Sequence, residues 1–155
     1  MKIASIRSIL LIIAVLYSSL AFSQKRGSRF EKLKAWKFEY ITDNTSMNSE
    51  EMKVFKTIFD QYENQYHKEI WMNVHKLRKD LMKTLDSIST SNAACFVKDL
   101  DTYEKKGMQM KHQRNEKMLD QIRPKVVLNI LYQEKRFDKE LISRIRKNST
   151  NQKNK

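Results

Sequence analysis

The fold is decided by residues 48–88, which read NSEEMKVFKTIFDQYENQYHKEIWMNVHKLRKDLMKTLDSI. Large apolar or aromatic side chains recur there every three or four positions, and most of the residues between them are charged or amides. The recurring residues are Met52, Phe55, Phe59, Tyr62, Tyr66, Ile70, Val74, Leu77, Leu81, Leu85 and Ile88. This spacing places them on one face of an α-helix. No Gly or Pro interrupts the stretch, so the sequence predicts one continuous helix from Asn48 to Ile88.

The start of this helix is marked by a capping signature. Asn48 is a good N-cap acceptor, and Glu51 stands three residues later, where it completes a capping box. Met47 and Met52 flank the cap in the positions of a hydrophobic staple.

The length of this helix constrains the architecture. About forty residues at 1.5 Å each make a rod of roughly 60 Å. A compact domain of this chain's length has a radius of gyration of only about 14 Å. We therefore expect an elongated molecule in which part of the apolar stripe packs against a second copy.

Residues 1–23 have the pattern of a signal peptide. Lys2 and Arg7 precede an apolar run over residues 9–20, and Ala21-Phe22-Ser23 is a small-x-small cleavage site. The alternative is an uncleaved anchor, but the run is short for a membrane span, which needs about 20 apolar residues. We expect cleavage near Ser23, which leaves an exported chain and argues against cytosolic or nuclear roles.

The chain is strongly basic, with 31 Lys and Arg residues against 18 Asp and Glu residues. Loss of residues 1–23 removes two bases and no acid, which lowers the net charge from +13 to +11. Such a charge raises the question of nucleic acid, but export and the even spread of the bases argue against it. Anionic membrane surfaces, acidic proteins and an envelope polymer are more plausible partners, and the charge also serves simply to keep a helical rod soluble.

The remaining chain predicts three further helices, because Gly and Pro are scarce and no alternating strand pattern occurs. The first helix spans Arg29 to Thr42, and the third runs from about Ala93 to Gln121 after a Ser- and Thr-rich break. The apolar stripe of this third helix contains Phe96, Leu100, Tyr103, Gly107, Met110, Arg114, Met118 and Ile122. Because it includes a Gly, an Arg and flexible Met side chains, it is weaker and more adaptable than the stripe of the long helix.

Pro124 predicts the start of the fourth helix, since proline is favoured at the first helical position. Phe137 falls at the edge of that helix's apolar face. The face itself is expected to contain Val127, Leu128, Leu131, Leu141, Ile142 and Ile145. We expect one all-α domain over residues 24–146 and a disordered basic tail over residues 147–155.

Three segments resemble a known family. They are residues 32–42 (KLKAWKFEYIT), residues 47–55 (MNSEEMKVF) and residues 59–63 (FDQYE). Together they resemble small exported helical proteins of the Spy/CpxP group, which include proteins described as sensors of extracytoplasmic sigma factors. The group's LTxxQ-like motif corresponds to residues 47–51, with Glu51 at the Gln position. A weaker second copy corresponds to residues 122–126, and neither copy keeps the Thr or the Gln.

The resemblance covers about residues 26–146 and has clear implications. It implies an elongated, cradle-like antiparallel dimer in the Gram-negative periplasm. In such relatives a basic and apolar concave face holds unfolded proteins or contacts a stress-sensing partner, and other relatives bind metals.

Aromatic and basic residues on the helices are the candidates for such a contact surface, because aromatic side chains serve interfaces well. Each aromatic residue taken alone is better explained as part of the core than as a contact site. The candidates are Trp36, Tyr62, Tyr66, Trp71, Arg78, Lys79, Lys83, Lys105, Lys106, Lys111 and Arg114. The basic members are expected to rim a cradle and attract acidic clients.

The histidines offer weak candidates for a metal site. Glu63 and His67 have the spacing of a helical metal pair, and His67 and His75 flank Trp71 on neighbouring turns. A short soft-donor cluster suited to Cu(I) is formed by Met108, Met110 and His112. Ordinary helix positions explain these residues better, so we predict neither a metal nor another cofactor.

Cys95 is the single cysteine of the chain, and no catalytic set accompanies the three histidines. In an oxidising compartment Cys95 is a candidate for pairing with another chain, although small buried filler is the simpler expectation. The sequence therefore predicts a non-enzymatic protein.

The leading hypothesis is an ATP-independent binder of non-native proteins or of an envelope-stress partner. The rivals are a dedicated regulator of a sigma-factor or kinase pathway, a metal-binding stress protein and a plain structural rod.

Overall fold

The computed structural model of the chain describes residues 28–153, with side chains as far as residue 147. The predicted signal peptide lies outside the described residues. The chain divides into two compact units between Leu33 and Lys34. Of the first unit the structure describes residues 28–33, where the Ser28 hydroxyl accepts a hydrogen bond from the Glu31 N–H at 3.2 Å and so caps a helix. The core and the surfaces discussed below belong to the second unit.

All regular structure in residues 28–153 is helical, which confirms the all-α prediction. The elements in chain order are α1 (Arg29–Asp43), α2 (Ser49–Tyr66), a π-helical turn (His67–Trp71), α3 (Met72–Thr84), a 3₁₀ turn (Leu85–Ser87), α4 (Thr90–Leu119) and α5 (Pro124–Lys153). Because α2, the π turn and α3 are continuous, the described chain forms four helical rods, as predicted.

The apolar core lies where α1, the first half of α2, the end of α4 and the start of α5 meet. Its buried members are Ile41, Phe55, Ile58, Phe59, Met118, Ile122, Val126, Val127 and Ile130. The Phe38 ring packs on Phe55 and Phe59 at centroid distances of 5.7 and 5.3 Å. Each fully buried side chain of this size stabilises the fold by about 1.5–3 kcal/mol. The three aromatic rings therefore anchor α1 on α2.

The apolar stripe of the long helix continues through the π turn. The π turn itself was not predicted from the sequence. The buried part of the stripe runs from Phe55 to Ile70, whereas Val74, Leu77 and Leu81 are half-buried and Leu85 is exposed. Three successive four-residue steps from Tyr62 to Val74 rotate the stripe by about 120° around an ideal α-helix. The extra residue of a π turn, marked by the Met72 N–H donating to the His67 carbonyl, takes up about 100° of that rotation. The π turn thus keeps the α3 side chains on the side that faces α4.

The prediction that the long helix continues to Ile88 is wrong, because the α-helical backbone ends at Thr84. Ile88 is extended, and Ser89 begins the next helix by accepting a hydrogen bond from the Asn92 N–H at 3.3 Å. The Thr84 hydroxyl donates to the Asp80 carbonyl, and the Ser87 hydroxyl donates to the Thr84 carbonyl. Hydroxyl side chains that bond to nearby backbone in this way compete with helix formation. The third predicted helix therefore begins at Thr90 rather than near Ala93.

The apolar face of α5 differs from the predicted one. Leu128, Ile142 and Ile145 are exposed, whereas Phe137 is fully buried rather than near an edge. The observed buried face runs through Val126, Val127, Ile130, Gln133, Glu134 and Phe137. Two polar residues occupy core-facing positions, and they hid the true register from an argument based on hydrophobic periodicity.

Helix α5 begins at Pro124 as predicted but continues to Lys153, past the expected end near Lys147. No Gly or Pro stands between those positions to stop it. Among the described helices, none combines the length and the apolar character needed to cross a membrane.

Candidate functional site

A groove of about 640 Å³ lies among the helices of the second unit. It is lined by Lys37 of α1, by α2 residues around Tyr62 and Tyr66, by the π turn and α3, by one face of α4, and by three residues of α5. A volume of this size falls within the range of ligand-binding clefts in proteins. We call it the central groove.

The floor of the central groove is a buried ion pair between Arg114 and Glu134. The two guanidinium N–H groups donate to the two carboxylate oxygens over 2.6 and 2.9 Å. These side chains are only 4% and 8% exposed. Since an unpaired charge at such depth is strongly unfavourable, the bidentate pairing is what allows both residues to lie there.

A second pair adjoins the floor. The Lys37 ammonium donates to Glu63 over 2.6 Å and lies 3.7 Å from Glu134. The floor thus contains two cations and two anions and is neutral as a group. It ties α1, α2, α4 and α5 together beneath the groove.

Tyrosines form much of the aromatic wall. Tyr62 and Tyr66 lie 5.6 Å apart, and the Arg114 guanidinium lies 4.6 Å from the centre of the Tyr62 ring. Burial raises the pKa of Tyr62 to about 12, outweighing the opposite effect of Arg114. Tyr62 is therefore a neutral phenol at any physiological pH.

Gly107 allows α4 to approach this wall closely. A Cβ atom at that position would lie 3.2 Å from Cε2 of Tyr66 and 3.7 Å from Cγ2 of Ile70. In the sequence Gly107 interrupted the apolar stripe of α4 and made it look weak. In the structure the absence of a side chain at Gly107 lets the α4 backbone lie close to Tyr66 and Ile70.

The rim of the central groove has an excess of positive charge. Arg78 and Lys135 are exposed and Lys111 is half-buried, and none of the three makes an ion pair with another described residue. Two acids, Glu104 and Asp138, also line the groove. With the floor neutral, the lining carries three rim cations against two rim anions.

The structure brings only some of the predicted contact residues together. Tyr62, Tyr66, Arg78, Lys111 and Arg114 line the central groove, as does Met108 from the soft-donor set. Arg114, however, was predicted to lie on the rim of a cradle, whereas the structure buries it on the floor of the groove. Its burial follows from its position on the α4 face that packs against α2 and α5.

The other basic candidates lie outside the groove in local contacts. Lys83 pairs with Asp80 at 3.5 Å, and Lys105 pairs with Asp101 at 2.7 Å. Lys79 is exposed. These are solvated helix positions, whose ion pairs contribute little.

Lys106 has a different role, because it links α4 to the π turn. Its ammonium lies 2.8 Å from Glu69. The hydrogen bond from Lys106 lowers the pKa of Glu69 below its ordinary value. Lys106 thus helps to hold the π turn against α4.

Trp36 is half-buried and packs against α5, outside the lining of the central groove. Its ring meets Phe137 edge-on at 4.6 Å, and the Arg144 guanidinium lies 4.5 Å from its centre. Tyr40 contacts the same Phe137 ring at 5.6 Å. This aromatic cluster is how Phe137 comes to be fully buried.

Trp71 is half exposed and lies between two imidazoles. His67 stacks on it at 5.0 Å and His75 at 5.1 Å, with nearly parallel rings. Because the indole separates the two imidazoles, His67 and His75 do not converge on one metal ion. His112 lies instead 3.3 Å from Glu116 on its own helix. In the described part of the chain no three His, Cys, Asp or Glu residues are grouped to hold a metal ion.

Cys95 is exposed, so the expectation that it is buried filler is wrong. It lies in the second turn of α4, away from the groove lining.

Several groove residues escaped the sequence analysis. Lys37 and Asp138 gave no signal, because single charged residues on amphipathic helices are common. Leu100 and Tyr103 belong to the adaptable stripe of α4 but were not among the predicted contact residues. Glu134 stands at a position where the helical spacing of α5 would place an apolar residue, and this was the one signal that pointed to a buried ion pair.

The two motif-like segments meet in the structure. Asn48 accepts hydrogen bonds from the Glu50 and Glu51 N–H groups, and the Asn48 N–H donates to Glu51, which confirms the capping box. The Glu51 carboxylate also accepts from Arg123 of the second segment at 2.7 and 2.8 Å. This contact fixes the start of α2 to the turn before Pro124.

Comparisons with protein-family models, with curated proteins and with solved structures found no significant match to this chain.

Proposed function

We propose that this protein is a non-enzymatic binding protein of the periplasm, which holds segments of non-native proteins in the central groove without ATP. The observation that carries the proposal is the composition of the groove, which sets three tyrosines and several aliphatic side chains beside three rim cations. The resemblance to the Spy/CpxP group points the same way. Export with cleavage near Ser23, an elongated shape and a homodimer are parts of the same proposal.

The groove chemistry suits loose and varied clients. Tyr62, Tyr66 and Tyr103 offer large contact area at small cost in conformational entropy. The exposed Met108 adapts to different apolar groups. Rim cations attract acidic segments from a distance, and this long-range attraction affects the association rate more than the final affinity. Such a surface binds many sequences weakly, as a holding chaperone requires.

The neutral floor supports the same conclusion. Arg114, Glu134, Lys37 and Glu63 satisfy one another, so the buried charges do not demand a specific counter-charge from the client. A client therefore meets an apolar and aromatic wall whose rim carries three cations and two acids. This arrangement favours promiscuous binding over recognition of one ligand.

The test is aggregation of a chemically denatured model protein diluted into the chain from Gln24 onward, followed by light scattering. We expect suppression near stoichiometric ratios that weakens as salt is added, because salt screens the rim cations. The groove variant Arg78→Glu/Lys111→Glu should lose most of the suppression. The matched control Lys76→Glu/Lys79→Glu changes the same charge on neighbouring exposed positions outside the groove and should keep it.

Two results would overturn the proposal. Absence of suppression at several-fold excess would remove the chaperone activity and favour a regulator with one dedicated partner, which crosslinking in the envelope would seek. Equal losses in the groove variant and in the control would show that net charge, and not the groove, is responsible.

A further inference from the structure

The central groove has two distinct ends, which follow from the direction of its helices. Arg114 of α4 meets Tyr62 of α2. Gly107 stands seven residues earlier in α4 and lies beside Tyr66, which stands four residues later in α2. The two helices are therefore antiparallel. One end of the groove lies at the buried floor around Arg114, and the other lies along α3 at Arg78. We call them the floor end and the α3 end.

The floor end keeps one positive charge after its neighbours are counted. The four charged groups of the floor balance one another. Beside them lie Lys111 of α4 and, on α5, Lys135 and Asp138. Asp138 stands one turn after Lys135 and offsets its charge. The half-buried Lys111 is left without a counter-charge among the residues that line this end.

The α3 end carries a second uncompensated cation. Arg78 is exposed and makes no ion pair with another described residue. Glu104 stands between the two ends on α4, seven residues before Lys111. Along its length the groove therefore presents charge in the order positive, negative, positive.

The two cations are about 20 Å apart along the groove. Lys106 contacts Glu69 at 2.8 Å, which fixes the register between α4 and the π turn. Arg78 lies nine residues beyond Glu69, and Lys111 lies five residues from Lys106 in the opposite direction along the groove. At about 1.5 Å per helical residue, the separation is roughly 20 Å.

We propose that the central groove prefers extended client segments in which two acidic residues stand about six positions apart. The proposal rests on the function proposed above and names a preference within its range of clients. Six residues of extended chain span about 20 Å and place both acids on one face. The residues two and four positions after the first acid share that face. They are spaced like Ile70 and Val74, which lie about 6 Å apart along the helix axis and favour apolar groups there.

An extended segment fits the groove better than a helical one. A helix needs about thirteen residues to span 20 Å and is about 10 Å across. A volume of about 640 Å³ over that length corresponds to a channel roughly 6 Å wide. Glu104 disfavours an acid in the middle of the segment, because like charges repel. The two carboxylates therefore belong at the ends, with neutral residues between them.

The first test measures how affinity depends on the spacing of the acids. Fluorescein-labelled serine peptides of one length carry one Asp, one Glu and two Leu residues and differ only in their order. Fluorescence anisotropy follows their binding to the chain from Gln24 onward. We expect the peptide with acids six positions apart to bind about threefold more tightly than peptides with spacings of four or eight, because a misplaced acid loses one exposed ion pair.

The second test exchanges charges at the α3 end. Replacing one of the two acids of the best peptide by lysine should weaken binding by about tenfold, since an attraction at one end becomes a repulsion. Arg78→Glu should restore the affinity for that peptide and lower the affinity for the original one. Lys79→Glu makes the same change of charge at the adjacent exposed position outside the groove lining, and it should restore nothing.

An unfolded protein separates this inference from the proposed function. The probe is a reduced and carboxymethylated model protein, which stays unfolded in buffer. If it binds but the peptides do not, or if they bind equally at every spacing, the inference is overturned and the proposed function stands. Equal restoration by Arg78→Glu and Lys79→Glu would also overturn the inference, because net charge would explain it. If neither the unfolded protein nor any peptide binds, the proposed function fails and the inference fails with it.

Discussion

The guanidinium of Arg123 binds the carboxylate of Glu51, which lies 72 positions earlier in the chain. The same carboxylate accepts the Asn48 N–H at 3.0 Å and the Arg123 N–H at 3.3 Å. One side chain therefore caps α2 and holds the turn between α4 and α5. Hydrogen bonds from Arg123 and from the Asn48 backbone lower the pKa of Glu51 to about 2.

This contact makes the free energy of unfolding depend on pH in the acidic range. Because the pKa of Glu51 falls from an ordinary 4.5 to about 2 on folding, its contribution is present in full above about pH 4.5. The contribution is lost as pH falls toward 2. We expect Glu51→Gln to be less stable than the parent at pH 6, with a difference that shrinks steadily below pH 4.5.

Urea unfolding at a series of pH values measures this difference. Glu50→Gln is the matched control, because Glu50 is exposed and adjacent but makes no contact with Arg123. A Glu51→Gln difference that stays constant from pH 6 to pH 2 would contradict the predicted linkage.

Removal of one partner from the floor of the central groove should be costly. We expect Arg114→Met to lower the free energy of unfolding by about 3 kcal/mol or more, because Glu134 is then left buried with a weaker partner. Arg114→Met/Glu134→Leu should regain much of that loss, since Lys37 keeps its contact with Glu63. Chemical denaturation of the two single variants and the double variant gives the coupling free energy between Arg114 and Glu134.

Asp80→Asn serves as the control for this cycle, because it breaks the exposed pair with Lys83. It should remain within about 0.5 kcal/mol of the parent. Strictly additive effects of the Arg114 and Glu134 changes would rule out a coupled pair.

Gly107 should tolerate a methyl group but not a larger side chain. Gly107→Ala gains about 1 kcal/mol of helix propensity but places Cβ 3.2 Å from Tyr66, so the two effects should nearly cancel. Gly107→Leu should cost about 1–3 kcal/mol by overpacking and should displace Tyr66 in the groove wall. Thermal unfolding measures the first effect, and client binding measures the second.

Gln109→Leu is the matched change at an exposed position of the same helix, and we expect an effect within about 0.5 kcal/mol. If Gly107→Leu were as stable as the parent and bound clients equally well, the close approach of α4 to Tyr66 would be refuted.

Deletion of Lys68 should convert the π turn into ordinary α-helix. The side chains of α3 would then rotate by about 100° away from α4. Val74, Leu77 and Leu81 would lose packing, and we expect a loss of about 3 kcal/mol in the free energy of unfolding. Lys68→Ala keeps the extra residue and should have little effect. Retention of full stability by the deletion variant would show that the π turn does not set the register.

Much of the backbone organisation could be predicted from the sequence, because it depends on local signals. Asn48 with Glu51, the uninterrupted spacing of the long stripe, and Pro124 each act within a few residues. The packed face of α5 depended on distant partners instead, since Glu134 is buried only because Arg114 comes to meet it. The π turn left a trace in the three four-residue steps from Tyr62 to Val74, which an assumed ideal helix conceals.

The central groove was harder to predict, because it combines residues from all four rods. Tyr62, Tyr66, Arg78 and Lys111 were found through their chemistry. Lys79 and Lys83 share that chemistry but lie on another side of the helix. Arg78 is separated from Lys79 and Lys83 only by its position around α3.

The placement of the two tryptophans gives the molecule a pair of optical probes. Trp36 lies against Phe137 where α1 meets α5, whereas Trp71 lies half exposed between two imidazoles at the π turn. Fluorescence from a Trp71→Phe variant thus reports the docking of the terminal helices, and fluorescence from a Trp36→Phe variant reports the π turn. The order in which these two regions open during unfolding can be read from the chain's own residues, without an attached dye.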